Sequence, residues 1–74
     1  MYKLIYTQTN NTDGLESRIY ETDAKYNDLY HVEFWDIDAN ERLDQTIKTM
    51  RFDIANDYAM RFACGSEVKT THHA

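Results

Sequence analysis

Hydrophobic and polar positions alternate along roughly the first two thirds of the chain and then recur every three or four residues. Residues 2–9 set Tyr2, Leu4 and Tyr6 on one side and Lys3, Ile5 and Thr7 on the other, and they are rich in strand formers. Asn10, Asn11, Thr12, Asp13 and Gly14 concentrate turn residues, so the chain reverses there. Residues 15–22 return as a second strand, and residues 23–28 make a polar connection with room for one helical turn. The third strand, 29–37, is heavy on both faces: Tyr30, Val32 and Phe34 point one way, His31, Trp35 and Ile37 the other. Residues 38–41 fit a type I turn. A fourth strand, 42–51, has a broken alternation that a bulge near Thr49 would repair.

Residues 53–64 change period. Ile54, Ala55, Tyr58, Ala59, Phe62 and Ala63 form one helical stripe, Asp53 suits an N-cap, and Gly65 stands where a C-terminal cap belongs. Residues 66–74 are polar and read as a flexible tail beyond a single domain of residues 1–65. A competing pattern exists, because Leu43, Ile47, Met50, Ile54, Tyr58 and Phe62 are spaced by four or three and would suit one helix over 39–64. Thr46, Ile47 and Thr49 are poor helix formers and Asp53 prefers a cap, so a hairpin followed by a helix is favoured. The pattern predicts an α+β fold: a β-meander of three or four antiparallel strands with one C-terminal helix on one face. Tyr2, Leu4, Tyr6, Ile19, Val32, Phe34, Ile47, Ile54, Ala55, Tyr58, Ala59 and Phe62 are the expected core.

Size makes that core thin. A domain of 74 residues buries only about 60% of the surface of its unfolded chain. Cys64 is the only cysteine, which excludes a disulfide within the chain and fits a reducing compartment. No apolar run approaches the length needed to cross a bilayer, and the N-terminal residues do not read as a signal peptide, so a cytoplasmic protein without membrane contact is expected. The net charge of −5 and the scatter of eight Lys and Arg residues lower the expectation of nucleic-acid binding. Acidic residues gather instead at Glu33, Asp36, Asp38, Glu41 and Asp44.

Candidate chemistry is sparse. Asp36, Asp38, Asn40 and Asp44 match positions one, three, five and nine of an EF-hand calcium loop, but position six is Glu41 instead of Gly and position twelve is Ile47 instead of Glu. His72 and His73 alone make an incomplete metal site. Cys64 ends the helix, where the dipole disfavours thiolate, and reads as a buried or half-buried structural thiol. Two glycines in the whole chain leave little scope for a phosphate-cradling loop. The expectation is a protein without catalysis, metal or cofactor.

Recognition is the expected function. One helix covers one sheet face, so Ile5, Tyr20, Trp35 and Ile37 are expected on the other, with His31 and Glu33 beside them. The partner would be another protein or a second copy in a homodimer. An alternative uses Glu33, Asp36, Asp38, Glu41 and Asp44 as an acidic decoy, of the kind phage or mobile-element inhibitors present to the basic groove of a nucleic-acid-handling enzyme. A third reading stacks single-stranded nucleic acid on Tyr20 and Trp35, with Lys3, Arg18 and Lys48 on phosphates.

Overall fold

A computed structural model describes residues 2–23, 29–65 and 68–73. Among these residues five strands and one helix follow in the order β1 (Lys3–Asn10), β2 (Leu15–Glu21), β3 (Tyr30–Asp36), β4 (Glu41–Thr49), α1 (Phe52–Phe62) and β5 (Val68–His72). The sheet order is β4-β3-β2-β1-β5, and every neighbouring pair is antiparallel. The α+β class and the meander of four strands agree with the sequence pattern. The hairpin-then-helix reading holds over the long-helix alternative.

The fifth strand is a correction. Residues 68–72, expected within a flexible tail, pair with β1 from Asn10↔Val68 to Tyr6↔His72. Their polar composition hid them, because an edge strand over a polar strip of sheet needs little hydrophobic surface. Residues 24–28, within the expected polar connection, and residues 66, 67 and 74 lie outside the described residues.

The helix packs across β2, β3 and β4. Ala55, Ala59 and Ala63, four residues apart, are fully buried beneath it. Side chains this small let the helix approach the sheet closely over Ile19, Val32 and Phe34. Phe52 and Phe62 bracket the stripe: Phe52 meets Tyr6 and Tyr30 with ring centroids 5.3 and 5.5 Å away, and Phe62 meets Phe34 at 4.8 Å. Ile54 and Tyr58, expected in the core, flank this alanine line and stay 38% and 45% exposed.

Two irregularities decide which side chains face the helix. In β1 the register shifts between Leu4 and Tyr6, so Leu4 faces Tyr20 while Tyr6 faces Ile19. The inserted residue, Ile5, packs with Tyr6 against the core. Parity therefore inverts at this bulge, and Tyr2 and Leu4 move to the helix-free side, contrary to the core predicted for them. In β4 the shift lies between Arg42 and Thr46, where Glu33 pairs with Thr46 and Trp35 with Arg42. It comes earlier than the bulge expected near Thr49. Because two extra residues are accommodated, alternation along β4 survives.

Helix ends and turns are fixed by specific contacts. The N-cap is Arg51, in extended backbone and without a side-chain cap. Asp53, expected there, sits in the first turn, where its carboxylate accepts from Arg51 Nε at 3.1 Å and Nη2 at 2.8 Å. The C-cap is Ala63, and Gly65 serves a different need: a Cβ there would lie 2.4 Å from Asn10 Nδ2. Asn10, almost fully buried, donates to Asp13 Oδ2 at 3.0 Å and to the Cys64 carbonyl at 3.2 Å, tying the first turn to the helix end. Ser17 donates to the Ala59 carbonyl at 2.8 Å, and Gln8 donates to Asn56 Oδ1 at 3.0 Å. Among the described residues no buried side-chain polar atom lacks a partner.

Candidate functional site

The face without a helix takes its side chains from alternate positions of all five strands. β2 and β3 run through its centre with Glu16, Arg18 and Tyr20 opposite Trp35, Glu33 and His31. Arg42, Thr46 and Lys48 extend it along β4, and Lys69 and Thr71 along β5, where they face Thr9 and Thr7.

Rings cluster at one end. Tyr2, 59% exposed, lies over His31 with centroids 4.7 Å apart and beside Tyr20 at 6.2 Å. Tyr2, Tyr20, His31, Glu33, Arg42, Thr46 and Lys48 line a hollow of about 260 Å³. Next to it Arg18 stacks its guanidinium on Trp35, 3.9 Å from the ring centroid. Arg18 Nε also donates to Glu16 Oε2 at 2.6 Å, while Glu16 Oε1 accepts from Thr9 at 2.8 Å. Trp35 Nε1 donates to Glu33 Oε1 at 3.1 Å. The phenol of Tyr20 is pushed above its ordinary pKa, first by burial and then by the neighbouring Glu33 charge, with Arg18 pulling the other way.

Charge is unevenly shared. Among the described residues this face gathers Arg18, Arg42, Lys48 and Lys69, four of the chain's eight Lys and Arg. It carries Glu16, Glu33 and, by alternation in β4, Asp44, three of thirteen acids. Glu16 and Glu33 are already engaged, and no ion pair forms at Arg42 or Lys48 among the described residues.

Of the residues predicted for binding, Tyr20, His31, Glu33 and Trp35 come together here. Ile5 does not, because the bulge in β1 turns it to the core. Ile37 lies past the end of β3, half-buried, its amide donating to the Gly14 carbonyl at 2.9 Å. The hairpin acids form no single row. Glu33 and, by alternation, Asp44 belong to the sheet face; Asp36 and Glu41 pair in register on the opposite parity, and Asp36 Oδ1 accepts from Ala39 N at 3.1 Å. Asp38 lies against Gly14 at the tip. Strands flank this turn, where an EF-hand has helices.

The histidine doublet separates. His72 stacks on Tyr6 at 4.6 Å, whereas His73 is hydrogen-bonded through Nε2 to Thr7 Oγ1 at 3.1 Å on the other face. Among the described residues no three His, Cys, Asp or Glu side chains cluster as a metal site. Cys64, expected to be buried or half-buried, is exposed. Among the same residues no helix is long and apolar enough to cross a membrane.

Tyr2, Arg42 and Lys69 were not anticipated on this face. Arg42 shares parity with Thr46 and Lys48, a signal that the broken apolar alternation of the fourth strand hides. Lys3, proposed with Arg18 and Lys48 for phosphates, pairs with Glu21 on the other parity. Comparison with protein-family models, curated proteins and solved structures finds no match for this chain.

Proposed function

We infer that the protein is a binding module acting without turnover, and that it holds a partner protein on its helix-free sheet face. One observation carries this reading: Tyr2, Tyr20, His31 and Trp35 lie together on an uncovered face whose Arg42 and Lys48 have no carboxylate of their own among the described residues. Rings with polar edges supply contact area at low conformational cost, and unpaired cations at the rim select for a carboxylate-bearing partner. The hairpin acids support a decoy role less well, since they are divided between two faces and a turn.

Trp35 is the only tryptophan, so its fluorescence reports on this face directly. Titration with poly-glutamate is expected to change its emission, and Arg42→Glu is expected to weaken that response about tenfold. A wild-type emission that ignores poly-glutamate at every salt concentration from low to physiological would remove the acidic-partner reading. Single-stranded nucleic acid is the second reading, favoured by rings on the central strands with cations on both edge strands. Oligo-dT at low salt tests it, and quenching stronger than that given by poly-glutamate would place it first.

A further inference from the structure

The two ends of the sheet are unequal. On one, β5 is five residues long and polar. On the other, β4 is nine residues long, exposed over most of its length, and pairs with β3 alone. Among the described residues its outer backbone groups have no strand partner, which is the arrangement that invites another strand. Beside it, on the helix side, Phe34, Leu43, Ile47, Tyr58 and Phe62 line a groove of about 290 Å³. Leu43, Met50, Ile54, Tyr58 and Met60, five of the six large hydrophobic residues most exposed among the described residues, belong to β4, to α1 or to the short link between them.

We propose that β4 pairs antiparallel with β4 of a second copy, about a two-fold axis through Thr46. Charge selects both the occupant and the register. Three symmetric registers keep most of this strand paired while leaving each face in phase. Centring on Gln45 sets Arg42 against Lys48 twice, and centring on Asp44 sets that carboxylate against itself. Centring on Thr46 sets Asp44 of each copy opposite Lys48 of the other and Leu43 opposite Thr49. The strand is therefore complementary to itself in one of the three. The symmetry makes the contact isologous and closed, so pairing ends at a dimer instead of a fibre. The two sheets become one of ten strands, the apolar grooves meet along the seam, and the helix-free faces join into a single surface on which Asp44 of the other copy takes Lys48 and Arg42 is left for an acidic partner.

Sedimentation equilibrium over a wide concentration range tests this. The wild-type chain is expected to be a dimer. Asp44→Lys and Lys48→Asp alone are each expected to weaken dimerisation about tenfold or more, and the double exchange to restore it. Both positions are exposed, and circular dichroism checks that each variant keeps its fold. Leu43→Arg, which leaves the helix-free face untouched, should also yield monomer. A wild-type monomer at every concentration overturns the proposal, as does a dimer indifferent to all four variants. Neither result bears on the sheet-face reading, whose readout is Trp35 emission.

Discussion

Tyr20 and Gly14 show how single side chains answer to their surroundings. Burial and Glu33 favour the neutral phenol of Tyr20 in the folded chain. A raised folded value means that its contribution to stability is complete below about pH 10 and is lost as pH climbs through the folded value. An ultraviolet titration of the six tyrosines should therefore show this one ionising late, and Glu33→Gln should bring it partway back. Gly14 has φ of 69°, and a Cβ there would approach Asp38 Oδ2 to 2.2 Å. The carboxylate is exposed and can swing aside, but the backbone angle cannot be relieved. Gly14→Ala is expected to cost about 1–2 kcal/mol, and adding Asp38→Ala should recover little of it in chemical denaturation.

At the scale of elements, the informative comparison is between adjacent residues with opposite fates. Ile5 packs on the core and Leu4 faces Tyr20 on the open side, so Ile5→Ala should cost about 2 kcal/mol and Leu4→Ala less than about 1. The reverse ranking in urea unfolding would rule out the bulge. Similarly, Phe34→Ala should cost about 3–5 kcal/mol and Trp35→Ala about 1–2, since one ring lies under the helix and the other under Arg18. Strands 1 and 3 and the helix were legible because their periods are clear, and strands 2 and 4, the last with a broken alternation, because Gly14 and Asn40 mark the turns before them, Asn40 with φ of 53°. The bulge at Ile5 was not legible, since Tyr2, Leu4 and Tyr6 alternate without a break and only the pairing with β2 reveals the extra residue. β5 was not legible because Lys69, Thr70 and Thr71 carry no apolar period. The candidate face was half legible: Tyr20, His31, Glu33 and Trp35 follow from alternation, whereas Tyr2 and Ile5 exchange places with the bulge.

Across the whole molecule, sorting of charge matters more than its sum. A net charge of −5 argues against acidic partners, yet among the described residues four of the chain's eight cations share one face with three acids, two of which are engaged. Long-range repulsion from the remaining acids is screened over about 8 Å at physiological salt, while contacts made within the hollow are affected less. Affinity for poly-glutamate should therefore pass through a maximum as salt rises from low values, and a steady fall would mean that local attraction dominates throughout. The arrangement of strands has a separate kinetic consequence. Each pairing among β1 to β4 closes over a short hairpin or connection, but β5 returns to β1 across almost the entire sequence, with Thr7 bonded to His73 66 residues away. Such a closure forms late and is released first. Amide protons of residues 68–72 should then exchange with deuterium well before those of β2 and β3, while the rest of the meander remains protected.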